Sequence, residues 1–475
     1  MKKKMIRGAG IALAALLVYL IAGAVIPFIQ QPEVRQETVG QFGRTGFFGE
    51  EAGNERAALL VGNGEALEER IRLVEGARER IVLSTFEFRS DESGKDMLAA
   101  LLAAADRGVS VQVLMDGFPA FKDLQLPDNP YFQALSAHEN AQIAIYNPVN
   151  PLQPWKLMGR LHDKYLIADD TAYILGGRNT YDFFLGDYGG YKNYDWDVLV
   201  YSEEPGQGQS MNALKDYFKG VWELPLCRIW KDDAKILEKG RVADAQEELR
   251  GRYAAMKEEH PEWFEPCDYR ETTREVNHIE LLANPTHCYA KEPVVFYAMT
   301  ELMQSAEEEV RFHTPYIICD DWMLDRLEEV CRSVDSAVMM TNSAANDGNP
   351  FGSMDYGKNR EKILETGVKI LEYDGGISYH GKCFVMDDRL SGIGSFNWDM
   401  RSAYIDTEIM LVIDSEEINA DMRREMAEYE KKALTVLDGD TVVAPEGMTP
   451  RTQDLKQKAL TTLLGIFAGW ARFLM

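Results

Sequence analysis

One pattern occurs twice in this chain and constrains its fold more than any other feature. The first copy is His162-Asp163-Lys164, then Asp169 after four residues, then Gly176-Gly177-Arg178-Asn179 after six more. The second is His380-Gly381-Lys382, Asp387 and Gly394-Ser395-Phe396-Asn397 at the same spacing. One chance match is a modest hint; two copies with the same extension point to duplication of a domain-sized unit. The flanking sequence agrees. In the first half, apolar strands (57–63, 81–88, then VSVQVLMDG) alternate with helical stretches, and 278–284, 310–318 and AVMMTNS repeat the order in the second. Such alternation predicts α/β layers with largely parallel sheets.

The chemistry of the repeat is readable from residue types. On a strand, positions i and i+2 share a face, so His162 projects with Lys164 and His380 with Lys382. The Asp-Asp steps turn the chain into a second strand that ends in small residues and an Asn. Joining the halves face to face gathers two His, two Lys and two Asn around one point. Lysine offers a compact positive charge and only donors, which makes this a pocket for a phosphate group. Two imidazoles supply a nucleophile and a general acid/base. The lysines provide the electrostatic stabilisation, so no metal or other cofactor is expected.

Composition narrows the partners. With 51 Lys+Arg against 77 Asp+Glu the net charge is −26, which repels nucleic-acid phosphates, so nucleic acid is not expected as a partner. The six cysteines (227, 267, 288, 319, 331 and 383) are scattered, without zinc-ligand spacing. Lys2, Lys3, Lys4 and Arg7 precede an uncharged stretch, 8–32, long enough to cross a hydrocarbon layer of about 30 Å. The basic cluster predicts a cytoplasmic N-terminus and a single-pass cell-membrane protein whose body is extracytoplasmic. The alternative is a cleaved signal peptide with Ala22-Gly23-Ala24 as its processing site. At the other end, Leu460, Leu463, Leu464, Phe467 and Trp470 fall near helical spacing, which fits either a helix lying on lipid or one docked on the protein's own core. The expected organisation is an anchor and linker (1–40), a first domain (55–230), a charged, solvated helical linker (231–275), a second domain (276–435) and a tail with an amphipathic helix (436–475).

The paired motifs resemble those of the phospholipase D superfamily, from about Ala57 to Lys432. Gly394-Ser-Phe-Asn-Trp-Asp-Met-Arg-Ser402 with Asp406-Thr-Glu408 is similar to the cardiolipin synthases. Gly176-Gly-Arg-Asn179, Tyr146-Asn-Pro148 and Thr341-Asn-Ser-Ala-Ala-Asn-Asp347 are similar to their bacterial class C. The resemblance implies an α/β fold of two similar phospholipase D-like α/β/α sandwich domains forming an internal pseudo-dimer. It also implies phosphatidyl transfer between phospholipids (phosphatidylglycerol, with phosphatidylethanolamine as a possible co-substrate) through a phosphohistidine. His162 is expected as nucleophile and His380 as acid/base. Lys164, Lys382, Asn179, Asn397 and Ser395 would hold phosphate, and Asp195 and Glu408 would orient the histidines. Asp169 and Asp387 complete the catalytic motifs but are expected to fix the motif strands rather than touch substrate. Two positions depart from the pattern: Gly177 stands where most members carry Ser, implying a lost phosphate donor, and Asp406 where Asn is common.

Water and alcohols use the same catalytic groups, so a lipid-hydrolysing phosphodiesterase is the alternative activity. Intact motifs argue against a catalytically dead lipid-binding protein. His138, His260, His278, His287 and His313 lack a companion lysine and read as structural or surface residues. Cys383 should alternate away from the pocket as an inert thiol, and Asp399 and Arg401 should make polar contacts beneath it. The run 339–351 is a candidate lining for the lipid or acceptor site.

Overall fold

The computed structural model describes residues 2–125, 128–231, 233–467 and 469–475; the side chains of 2–4, 125, 466 and 467 lie outside the description. Two nine-stranded sheets form the body. The first runs Arg274–Glu275, Glu55–Leu60, Asp197–Ser202, Ala172–Gly176, Tyr165–Ala168, Arg80–Thr85, Ser110–Asp116, Ala141–Tyr146, Cys227–Ile229. The second runs His278–Ala283, Ile409–Asp414, Leu390–Gly394, Cys383–Met386, Glu309–His313, Ser336–Asn342, Lys369–Tyr373, Ala433–Val436, Val442–Val443. Without one edge strand each (Arg274–Glu275 and Val442–Val443), the two orders superimpose strand for strand, as the duplicated motif requires.

The sheets are mixed, not largely parallel. In each half only three neighbouring strands run parallel, for example Arg80–Thr85 with Ser110–Asp116 and Ala141–Tyr146. The motif strands form antiparallel hairpins, Ala168 opposite Ala172 and Met386 opposite Leu390. A three-residue connection is too short for a parallel crossover. Its first residue is Asp169 (φ 52°) or Asp387 (φ 45°), in the left-handed region that Asp tolerates better than most residues.

Side-chain alternation sorts each sheet between two cores. Leu166, Ala168, Ala172 and Ile174 face an outer core in the first half; Tyr165, Ile167, Tyr173 and Leu175 face a core shared with the second half. Phe384 and Met386 likewise face an outer core, whereas Cys383 and Val385 join the shared one. The halves are therefore packed face to face over apolar residues, with Trp196 and Tyr379 fully buried at the join.

The linker is helical but not simply solvated. Helix Gly240–Glu259 buries Val242, Ala245, Leu249 and Met256 against the first half, a stripe at helical spacing that the surrounding charge obscures. Several of its charges pair with that half: Arg250 with Asp106, Arg252 with Asp96 and Glu248 with Lys95. The tail helix Leu455–Phe467 docks on the protein, Lys358 donating to the Gly465 carbonyl, while Phe473, Leu474 and Met475 pack on the second outer core. Leu460, Leu463 and Trp470 remain exposed. Helix Lys2–Val25 touches the body near its C-terminal end, at Leu152 and Pro154, and most of its apolar stretch is uncovered by protein.

Candidate active site

Two short strand exchanges between the halves assemble the site. Ser378 and Tyr379 pair in parallel with Asn193 and Tyr194, and the His380 N–H donates to the Tyr194 carbonyl (2.6 Å). At the pseudo-equivalent place Leu161 bridges Thr407, and the His162 N–H donates to Thr407 Oγ1 (3.1 Å). Each exchange leaves a histidine beside a carboxylate from the other half. His162 Nδ1 lies 2.8 Å from Glu408 Oε1, and His380 Nδ1 lies 2.5 Å from Asp195 Oδ2. The sequence placed both motifs on strands, but His162 to Lys164 and His380 to Lys382 are extended lead-ins that stop before the strands begin. Freed from the ladder, their side chains converge on the other half.

Where a carboxylate accepts from Nδ1–H, Nε2 is the imidazole nitrogen left without that proton. Both imidazoles are largely enclosed, with 14% of each side chain accessible. Lys164 Nζ donates to the His162 carbonyl, and Lys382 Nζ donates to the His380 carbonyl and lies 3.6 Å from Asp195. Burial, reinforced by the adjacent lysine, depresses both histidines: His162 well below its usual value and His380 to about 4. Burial also lowers Lys164 to about 8. Lys382 acts on His162 and Lys164 on His380, so the two motifs form one electrostatic unit. The carboxylates differ. Burial raises Glu408 to about 7 despite Lys164; at Asp195 burial is outweighed by Lys382 and His380, which hold it at about 2.

That asymmetry explains Gly177. Ser395 does not face the pocket: its hydroxyl donates to Glu408 Oε2, while Ser402 Oγ donates to Oε1 (2.6 Å). The Ser395 hydroxyl, expected to hold phosphate, is here engaged by the carboxylate that partners His162. Gly177 is the equivalent residue, and a Cβ there would lie 2.2 Å from Asp195 Oδ1. The shorter Asp keeps its carboxylate where a serine would stand, so Gly177 with Asp195 replaces Ser395 with Glu408.

The other expected residues sort as follows. Asn179 Oδ1 accepts from the Glu87 N–H (3.2 Å), while Asn397 Oδ1 is buried without a partner; both side chains are nine-tenths buried. Asp169 and Asp387 lie at the far ends of the motif strands. The first accepts from the N–H groups of Arg78, Glu79 and Arg80, and the second from Glu307, Glu308 and Glu309. They lock the motif hairpin to the neighbouring strand and contact neither histidine. Asp399 caps the helix that carries Ser402, and Arg401 pairs with Asp406 and the Met158 carbonyl. Asp406 in turn accepts from the Arg160 N–H (3.0 Å), so this departure from Asn serves the join between halves.

Cys383 is enclosed, and burial pushes its thiol up to about 12. The other five histidines stay outside the site; His313 is held between Tyr379 and Glu430. Thr341 and Asn342 bond the Pro315 carbonyl and so brace the loop carrying Tyr316, a positioning role for that part of the 339–351 run. Tyr316 itself has no signature in the sequence. Its hydroxyl lies 3.2 Å from His380 Nε2, whereas no protein group bonds His162 Nε2 among the described residues. Phe86 and Phe184 pack edge-on against His162 and His380. Among the described residues no cluster of His, Cys, Asp and Glu could hold a metal ion.

Comparison with known proteins identifies the family. A family model described as a cardiolipin synthase, PLD-like domain matches residues 71–222 and 299–429, together more than half of the chain. Cardiolipin synthase C of Escherichia coli (strain K12) is 25% identical over 399 residues, covering 74% of this chain and 80% of that protein. An uncharacterized protein of Helicobacter pylori (strain ATCC 700392 / 26695) is 24% identical over 410 residues, 76% of this chain and 77% of the relative. The crystal structure of phosphatidylserine synthase from Haemophilus influenzae Rd KW20 has the same fold, with a TM-score of 0.64 and 14% identity over 90% of this chain and 97% of that one. The chain belongs to the cardiolipin synthase, phospholipase D-like domain family, as a phosphatidyltransferase whose two halves are both copies of that domain.

Proposed function

We propose that this protein makes cardiolipin, transferring the phosphatidyl group of one phosphatidylglycerol to the headgroup hydroxyl of another through a phosphohistidine. The observation that carries the reading is the crossed pair of His–carboxylate contacts, which leaves two Nε2 atoms in one lysine-flanked cleft. His162 is the nucleophile, because its Nε2 is unengaged, and His380, bonded to Tyr316, is the acid/base.

In the first step His162 Nε2 attacks phosphorus and a P–N bond forms. The P–O bond to the headgroup glycerol breaks, and His380 gives its Nε2 proton to the departing oxygen. In the second step His380 takes the proton of the incoming headgroup hydroxyl, that oxygen attacks phosphorus, and the P–N bond breaks. Two phosphatidylglycerols become cardiolipin and glycerol, and both histidines are restored. Lys164, Lys382, Asn179 and Asn397 hold the non-bridging oxygens. Burial and then the lysine charges depress His380; the anionic phosphodiester offsets the lysine part, so binding of substrate raises its pKa towards that of a working acid. Helix Lys2–Val25 anchors the body at the bilayer, on the side opposite the basic N-terminus.

The test is a product assay on the full chain in phospholipid micelles with acyl-labelled phosphatidylglycerol. Labelled cardiolipin, lost in His162→Ala, is the expected result. Phosphatidic acid alone would move the activity to hydrolysis. Formation of cardiolipin only after phosphatidylethanolamine is added would change the lipid pair.

A further inference from the structure

One cavity outside the two motifs is lined by basic groups. It has a volume of about 500 Å³ and is lined by Lys156, Arg160, Arg228 and His287, with apolar surface from Leu224 and Tyr289. None of the two motif histidines and lysines lines it, and neither does any Asp or Glu. In a chain with 77 acidic residues against 51 basic ones, a cavity free of carboxylates is a selective feature. Lys156 and Arg228 have no carboxylate partner among the described residues. Arg160 is 97% buried; its guanidinium donates to the Asn147 (3.1 Å) and Lys156 (3.2 Å) carbonyls and lies 3.5 Å from Asp116, so only its Nε lacks a hydrogen-bond partner. Lys156 and Arg228, half-buried and exposed, carry charge that no carboxylate neutralises, and such charge pairs favourably with an anion.

The position of the cavity identifies the ligand class. The loop that supplies Lys156 is clamped to the last turns of the apolar N-terminal helix. Tyr19 Oη donates to the Leu152 carbonyl (2.9 Å), and Gly23 packs so closely on Pro154 that a Cβ would fall 2.4 Å from its ring. On the same rim, Leu152 is 78% exposed and Tyr289 47% exposed. Aromatic and apolar side chains at the end of a spanning helix sit at headgroup level. We infer that this cavity binds a phosphate-bearing anion distinct from the reacting substrate, and that the apolar rim makes it the headgroup of an anionic phospholipid. A lipid held there would fix the height and tilt of the body over the bilayer. Only the choice of a lipid source rests on reading the N-terminal helix as a bilayer anchor.

The experiment uses the full chain in phosphatidylcholine nanodiscs containing a phosphatidylglycerol with a photoactivatable group on its acyl chain next to the glycerol. Adducts are mapped by peptide mass spectrometry, and cardiolipin formation is followed in parallel. Adducts are expected on residues 148–157 and 287–289. They should fall by about tenfold or more in Lys156→Ala/Arg228→Ala, the loss of at least one charge-assisted hydrogen bond. Displacement by phosphatidic acid but not by millimolar inorganic phosphate establishes the lipid source. Displacement by inorganic phosphate alone establishes a free-phosphate site of the same chemistry. Absence of adducts at this cavity, or equal labelling of the double variant, overturns the inference even where cardiolipin is formed. Loss of cardiolipin formation with this labelling intact would count against the proposed reaction only.

Discussion

The substitution Gly177→Ser probes the site at the point where its halves differ. An added Cβ would meet Asp195 Oδ1 at 2.2 Å and its Cγ at 2.7 Å. Ordinary carbon contacts start near 3.5 Å, so the carboxylate must retreat by roughly 1 Å. Asp195 holds His380 Nδ1 at 2.5 Å, and that movement is passed to the imidazole. Misplacement of a catalytic group by about 1 Å costs on the order of 100-fold in rate, or about 2.7 kcal/mol. Asp195→Glu alone should fail for the converse reason, since its extra methylene drives the carboxylate into His380. Gly177→Ser/Asp195→Glu copies the Ser395–Glu408 arrangement and should recover to within about tenfold of the parent, a coupling typical of residues in contact. The assay is cardiolipin formation by the four proteins, with melting temperature as the folding control. Full activity in Gly177→Ser, or a double variant no better than the worse single one, would refute the reasoning.

Three further outcomes follow from the same geometry. Lys164, lowered by burial to about 8, must be protonated to hold phosphate, so kcat/KM should fall as pH rises through about 8. The kcat limb should lie higher, because bound phosphate raises the lysine; a kcat/KM profile flat to strongly alkaline pH contradicts this. Burial raises Glu408 from 4.5 to about 7, so the folded state holds a proton there that the unfolded state has released between those values. Stability from that proton is present at low pH and lost as pH rises through 7, worth roughly 3 kcal/mol. Glu408→Gln should therefore be inactive yet gain melting temperature over the parent at pH 8 and not at pH 4.5, and an equal shift at both pH values would oppose the account. Asp387→Ala strips one acceptor from three N–H groups, and should cost about 1–2 kcal/mol of stability, as loss of a cap does, while leaving kcat nearly unchanged in the folded fraction. A large kcat loss at unaltered stability would place Asp387 in the chemistry.

Much of this site was legible because its chemistry is local in sequence. The His-x-Lys steps and the Asp turns follow from fixed spacing in the repeat, whereas the two supporting carboxylates, Asp195 and Glu408, were expected from the family resemblance alone. What was not legible depends on contacts between distant segments. Tyr316 reaches His380 across 64 residues, and no local pattern marks a Thr-Pro-Tyr run as part of a site. For Ser395 spacing gives the neighbourhood but not the rotamer; only the structure reveals that Glu408 takes the hydroxyl. The sheets were expected to be largely parallel because alternating helices and strands dominate one side of each half, whereas the motif hairpins reverse the chain on the other. Linker charge concealed the stripe Val242, Ala245, Leu249 and Met256, since a helix with one buried face can still be predominantly charged.

The central claim is a covalent phosphatidyl-enzyme formed at a site that both halves build. Its most direct test is a rapid alkaline quench of the full chain turning over phosphatidylglycerol radiolabelled at phosphorus, conditions in which phosphoramidates survive, followed by peptide mapping. The account predicts label on His162, present during turnover, absent in His162→Ala and chased by unlabelled phosphatidylglycerol into cardiolipin. Label on His380 in the His162→Ala protein, or cardiolipin formed with no labelled histidine at any time, would contradict it.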